Sequence, residues 1–220
     1  MKTKAENLTI EAILRTHRER RREIRRRLAE FEAIWKDGDD LRLWEEMVYC
    51  FFTGGCSARM GLNSVEAVRP LLANGSQPEL AKALSGVHRY PNARAGYVFS
   101  SRDFLERHCN FQLRTKLESF DCHFERRDWL VREKGIKGLG YKEASHFLRN
   151  IGLKGYAILD KHVLKCLAEL KIIDSPKPPN GRSKYLTVES KLRELTKQTR
   201  IDFDEMDLVL WSMKTGQILK

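Results

Sequence analysis

The chain has 220 residues, 41% of them hydrophobic and 32% charged. That is enough for one large or two small domains with a sizeable core. Its 41 Lys and Arg against 30 Asp and Glu leave a net charge of +11, which suits a polyanionic partner. No apolar run nears the ~18 residues that cross a bilayer. The opening MKTKAENLTIEAIL holds no long apolar segment, so an intracellular, cytoplasmic place is expected.

Helical periodicity runs through almost the whole chain. Ile24, Leu28, Phe31 and Trp35 form a narrow apolar stripe on a long first helix, whose other faces carry Arg20, Arg21, Arg22, Arg25, Arg26 and Arg27. Those arginines read as a solvated face partly paired with Glu19, Glu23 and Glu30 rather than as a direct nucleic-acid contact. Asp37-Gly38-Asp39-Asp40 ends this helix and caps the next, the apolar LRLWEEMVYCFF, which runs into Gly54-Gly55. Ser57 starts another helix, Pro78 opens a short one, and Pro91 opens the one carrying Arg94, Tyr97 and Phe104. Leu113, Leu117 and Phe120 mark the next run, and Asp128 is the expected cap of the helix after it. Three prolines and a glycine make Asp174 to Lys184 an exposed loop. Thr187 to Lys197 and Asp204 to Met213 are the last two helices, and no strand pair or repeat is evident.

The five cysteines, Cys50, Cys56, Cys109, Cys122 and Cys166, form no C-x-x-C pair and no zinc-knuckle spacing. They read mainly as buried apolar fillers, and neither a metal nor a cofactor is expected.

Residues 129–160, WLVREKGIKGLGYKEASHFLRNIGLKGYAILD, carry the most information. Gly138-Leu139-Gly140 lies between two helical runs, where a reversal within a few residues needs positive φ that glycine supplies cheaply. The bare N–H groups there, with the dipole of the following helix, form an anion site. Such a hairpin grips a phosphate without reading sequence. The plainer reading is an αα-corner whose glycines only permit the turn. Lys142 opens the second helical run, and Asp160 stands before a third that includes Val163 to Leu170. A lysine is a potential amine nucleophile, and a carboxylate can stabilise positive charge.

GIKGLGYKEASHFLRNIG followed by AILDKHVLKC resembles the helix-hairpin-helix DNA glycosylase superfamily, and within it the archaeal-type 8-oxoguanine DNA glycosylase/AP lyases, the second such subfamily. RYPNARAGY (Arg89 to Tyr97) and the C-terminal DLVLWSMKTGQILK (Asp207 to Lys220) match as well. The resemblance implies an all-α fold of two helical subdomains, with the helix-hairpin-helix at their junction and a DNA-binding cleft between them. One subdomain, residues 1–50 plus 161–220, is built from both chain ends. The other, a helical barrel over 51–160, contains the hairpin motif at about 129–151. Some related glycosylases hold an iron–sulfur cluster on four closely spaced C-terminal cysteines. Here Cys166 is the last cysteine, so no such cluster is expected.

The resemblance places Lys142 on the catalytic lysine and Asp160 on the essential aspartate. A base inside a duplex hides its glycosidic bond, so the nucleotide must be extruded at a cost of a few kcal/mol. Phosphate contacts help to offset that cost, with Gly138, Gly140 and His162 as the candidates. An amine must be neutral to attack C1′, whereas an ordinary lysine is almost wholly protonated at neutral pH. Attack gives a Schiff base after base loss, and β-elimination of the 3′ phosphate then nicks the strand. Asp160 can cap the following helix while its carboxylate stabilises an oxocarbenium-like sugar or helps to deprotonate Lys142.

8-Oxoguanine differs from guanine at O8 and in the hydrogen on N7. A pocket that selects it needs an acceptor aimed at N7–H, because an unpaired buried polar group discriminates strongly. In the resembled subfamily the chain ends in a lysine beside the base pocket, and Lys220 takes that position here, its α-carboxylate a candidate acceptor. Trp211 and Asp207 share a helix face at i and i+4, where Trp211 can stack on the extruded base or be an ordinary core residue.

The expected protein is thus a monomeric bifunctional 8-oxoguanine DNA glycosylase/AP lyase acting on double-stranded DNA. Alternatives are the same chemistry on another oxidised base, or a non-catalytic helix-hairpin-helix module that docks DNA. A docking module would need neither Lys142 nor Asp160. A basic ribosome-associated protein is more distant.

Overall fold

A computed structural model describes residues 8–219. Every regular element among them is helical, as the periodicity predicts. The helices are α1 (Ile10–Asp37), α2 (Asp40–Thr53), α3 (Ala58–Val68), α4 (Gln77–Leu84), α5 (Pro91–Cys109), α6 (Leu113–Glu118), α7 (His123–Arg132), α8 (Tyr141–Asn150), α9 (Lys161–Glu169), α10 (Gly181–Thr199) and α11 (Phe203–Thr215). A single 3-10 turn, Arg69–Leu71, follows α3. No helix among the described residues is long and apolar enough to cross a membrane.

The chain forms two compact units. One comprises the described residues of Met1–Ala29 and Gly155–Lys220, and the other is Glu30–Lys154. The sequence places these borders after residues 50 and 160 instead. The shift at the first border has a physical cause in α2. Leu43, Trp44 and every residue from Glu46 to Thr53 are buried, so this helix is apolar on nearly all sides and must be surrounded. It packs on α3, α5, α6 and α8, which draws it into the middle unit.

Within that unit, the Trp44 ring meets Phe51 and Phe111 edge-on at 5.8 and 5.9 Å, and its Nε1–H donates to the Leu72 carbonyl at 3.2 Å. Glu46, fully buried, accepts from Arg42 Nη2 at 2.7 Å and from Asn150 Nδ2 at 3.2 Å. A buried carboxylate persists only when so paired, and the Asn150 bond ties α2 to the end of α8.

Capping follows the sequence in the first half. Asp39 caps α2 by accepting from Arg42 N at 2.8 Å, and Ser57 caps α3 by accepting from Met60 N at 3.1 Å. Pro78 lies in the first turn of α4, which a Ser76–Glu79 capping box closes. Two expected boundaries move. α7 begins at His123, so Asp128 stands inside it rather than at its cap, and accepts from the Tyr141 hydroxyl at 3.0 Å. α10 begins at Gly181, inside the segment read as a loop.

In the unit of the chain ends, α11 packs on α9 and α10. Glu205 of α11 accepts from His17 Nε2 at 2.5 Å and Arg25 Nε at 2.7 Å, which fastens α1 to it. Arg25 therefore leaves the purely solvated face read for the helix-one arginines. Cys50 and Cys166 are buried, whereas Cys56, Cys109 and Cys122 are half-exposed, so the reading of all five as fillers holds for two.

Candidate active site

The middle unit presents the hairpin. α7 and α8 are joined by residues 133–140, and the loop is anchored by Ile136 and Leu139, both buried. Lys137 N donates to Ser101 Oγ of α5 at 2.9 Å. Gly138 has φ +78°, and a Cβ added there would stand 2.5 Å from Cδ2 of Tyr97. Both the left-handed backbone and the close ring demand glycine at this turn. Gly140 is the N-cap of α8 and offers no side-chain cap to its first-turn N–H groups. An exposed helix start without its own cap is suited to an external anion. Across the hairpin, Arg127 Nη1 donates to Ser145 Oγ at 3.1 Å, holding α7 against α8.

Lys142 occupies the second position of α8. Its Nζ lies 2.9 Å from Oε1 of Glu143. The other carboxylate oxygen of Glu143 faces the N-cap, where a Cβ on Gly140 would come within 3.2 Å of it. Sequence reasoning assigned Glu143 no role. The overlooked signal is an acidic residue three places after a helix cap, the reciprocal half of a capping box. Beside it, Arg94 Nη2 donates to the Gly54 carbonyl at 2.5 Å, and its guanidinium lies over the Tyr97 ring at 5.1 Å. A Cβ on Gly54 would meet Arg94 Nη2 at 3.3 Å and Glu143 Oε1 at 3.7 Å. The α2–α3 loop, α5 and the start of α8 thus converge around Lys142 and Glu143.

His88 secures the same loop from below. Its Nδ1 accepts from Tyr90 N at 2.9 Å, so Nε2 carries the hydrogen and donates to the Phe52 carbonyl at 3.1 Å. Burial, with the nearby Arg94 charge, holds His88 below the usual histidine range against the opposing effect of that bond. It is a neutral strut, with both nitrogens committed.

The other unit holds Asp160, His162, Asp207 and Trp211. Asp160 caps α9, its Oδ1 accepting from His162 N at 2.9 Å and Val163 N at 2.8 Å. The His162 ring meets the Trp211 ring edge-on, centroids 6.3 Å apart. Asp207 is buried on α11, and Trp211 is half-exposed one turn later. Behind them Cys166 donates its thiol to the Leu210 carbonyl at 3.6 Å, and burial pushes that thiol up to about 11, an inert filler. Lys220 lies outside the described residues.

The segment leading to Asp160 is irregular. At Gly155 and Ala157 the backbone N–H and carbonyl groups are satisfied by side chains. Gly155 N donates to Asp204 Oδ1 at 2.8 Å, and Arg193 Nη2 donates to the Gly155 carbonyl at 2.7 Å. Ala157 N donates to Glu189 Oε1 at 3.0 Å, and the Tyr185 hydroxyl donates to the Ala157 carbonyl at 2.7 Å. Three of these four side chains come from α10, which therefore acts as a brace for the approach to Asp160.

Comparison with known proteins agrees with this architecture. The sequence profile of a family described as 8-oxoguanine DNA glycosylase matches residues 24–201. The 8-oxoguanine DNA glycosylase/AP lyase of Korarchaeum cryptofilum is 40% identical over 198 residues, 90% of either chain. That of Fusobacterium nucleatum is 34% identical over 214 residues, 94% of this chain and 96% of its own. The crystal structure of the Methanocaldococcus jannaschii 8-oxoguanine glycosylase/lyase in complex with a 15mer DNA containing 8-oxoguanine superposes with a TM-score of 0.87. Its identity is 32%, over 96% of this chain and 99% of that one. The 8-oxoguanine DNA glycosylase of Thermotoga maritima gives a TM-score of 0.85 at 33% identity, covering 96% and 98%. In sequence and in backbone, the chain belongs to the 8-oxoguanine DNA glycosylase family of the helix-hairpin-helix type.

Proposed function

We propose that this protein excises 8-oxoguanine from double-stranded DNA through a lysine Schiff base and nicks the strand at the resulting abasic site by β-elimination. The observation that carries the reading is the position of Lys142, in the first turn of α8 directly after the Gly138–Gly140 hairpin. A cation at a helix N-terminus opposes the dipole, so structure alone gives little reason for a lysine there. An amine delivered beside a phosphate-gripping turn is suited to a sugar carbon. Relatives that match 90% or more of the chain are named 8-oxoguanine DNA glycosylase/AP lyases.

In this reading Lys142 attacks C1′ as the bond to the base breaks. Asp160, its Oδ1 fixed by two helix N–H groups, stabilises the cationic sugar. The hairpin amides at Gly138 and Gly140, with His162, hold backbone phosphates. Trp211 and Asp207 face the extruded base. The enzyme acts as a monomer in the cytoplasm, and the surplus of basic residues steers it to DNA.

Incubation with duplexes carrying 8-oxoguanine, thymine glycol, uracil or an abasic site, followed by borohydride, tests the reading. A covalent adduct on the 8-oxoguanine and abasic duplexes, lost in Lys142→Gln with DNA binding retained, supports it. Wild-type turnover in Lys142→Gln overturns it.

A further inference from the structure

An ordinary lysine is an ammonium at neutral pH, and something must take its proton before the amine can attack. The carboxylate 2.9 Å from Nζ belongs to Glu143. Its side chain is only 18% exposed and that of Lys142 25%, so bulk water is a poor competitor for the pair. The geometry of Glu143 is set from two sides. One oxygen faces the N-cap backbone at Gly140, where a capping-box glutamate belongs. The other lies near the space over Gly54 that Arg94 also borders. Held from both sides, the carboxylate keeps an acceptor oxygen beside Nζ.

Resting on the reading of Lys142 as nucleophile, we propose that Glu143 accepts the proton of the Lys142 ammonium and so delivers the free amine to C1′. The transfer turns –NH3+ and –COO− into –NH2 and –COOH. The amine lone pair then forms the N–C1′ bond, and the electron pair of the broken C1′–N bond leaves with the base. Glu143 returns its proton to solvent. This divides the acid–base work between two carboxylates, leaving Asp160 to stabilise the charge that develops on the sugar. Glu143 is a positioning and proton-accepting residue that works through Lys142.

The test is borohydride trapping on an abasic duplex by wild type and Glu143→Gln across a range of pH. Binding is measured in parallel by fluorescence anisotropy with a duplex holding a non-cleavable abasic analogue. Glutamine keeps the shape and the reach to the N-cap but cannot take the proton. The trapping rate of Glu143→Gln is expected to fall at least about tenfold near neutrality, with binding unchanged. The deficit is expected to narrow as alkali supplies free amine. In Glu143→Ala, added formate is expected to restore trapping where chloride of equal ionic strength does not. A Glu143→Gln rate equal to or above wild type at neutral pH overturns the proposal, since it would make the pair a resting salt link only. So does a deficit of the same size at every pH. Absence of any adduct with wild-type protein would instead sink the Schiff-base reading itself.

Discussion

The Tyr185 hydroxyl donates to the Ala157 carbonyl at 2.7 Å, from the first turns of α10 into the irregular segment that ends at Asp160. Tyr185 is 1% exposed and Ala157 2%, so the carbonyl has no ready access to water. Tyr185→Phe leaves a buried acceptor without its donor, at a cost of about 1–3 kcal/mol. The lost bond also loosens the approach to Asp160. A lower denaturant midpoint with an unchanged m-value is expected, together with slower 8-oxoguanine excision. Excision at the wild-type rate in a destabilised Tyr185→Phe would show that the brace serves the fold alone.

Asp160 has two separable duties, and two substitutions separate them. Asp160→Asn keeps an oxygen that can accept from His162 N and Val163 N, so thermal stability is expected to stay within about 0.5 kcal/mol of wild type. Its side chain is neutral, so excision is expected to drop by about two orders of magnitude or more. Asp160→Ala loses the charge and the cap together, adding a stability loss of about 1 kcal/mol. Melting curves and single-turnover rates on the same preparations distinguish the two. Comparable excision by Asp160→Asn and wild type would confine Asp160 to capping.

The parts of this protein legible in its sequence are those whose cause is local. Gly138 and Gly140 announce the hairpin because a tight turn and a helix start impose residue types directly. Asp39 and Ser57 were readable as caps for the same reason. Asp128 misled because α7 starts at His123 after Cys122, which makes no side-chain cap bond, while an aspartate directly before the apolar Trp129-Leu130-Val131 resembles one. α10 was hidden because its cap, Asn180, makes no such bond either and its first residue is Gly181 at φ +81°. Glu143 escaped notice because its capping-box partner position is a glycine. The brace on the 155–159 backbone pairs residues more than 25 positions apart, such as Tyr185 with Ala157, and no short-range pattern reports that.

The hairpin glycine offers a sharper test of anion binding. At Gly138 a methyl group would be strained by φ +78° and would press on the Tyr97 ring from 2.5 Å. Gly138→Ala is expected to cost about 1–2 kcal/mol from the backbone alone, with more from displacement of the ring. Because the turn must move, the amides facing the phosphate move with it. Affinity for an abasic-analogue duplex is expected to fall by more than the stability loss explains at temperatures where the variant is fully folded. Equal affinities under those conditions would remove this turn from the DNA-binding surface.

Glu205 predicts how the protein responds to acid. It is 4% exposed on α11, with His17 at 2.5 Å and Arg25 at 2.7 Å. Burial pushes its carboxyl up, but the hydrogen bonds and charges of Arg25 and His17 outweigh that and hold it below its ordinary value of 4.5. A carboxyl lowered in the folded state binds its proton more readily when unfolded. The stability it contributes is therefore complete above about 4.5 and is lost as pH falls through the lower, folded value. Glu205→Gln is expected to reduce stability by about 1.5–3 kcal/mol at neutral pH, the range for hydrogen bonds to a charged group. It is also expected to flatten the dependence of the urea midpoint on pH below 4.5, since the variant has no proton to take up there. A variant whose acid slope matches that of wild type would assign the slope to other carboxylates and leave the fastening of α1 to α11 without an electrostatic part.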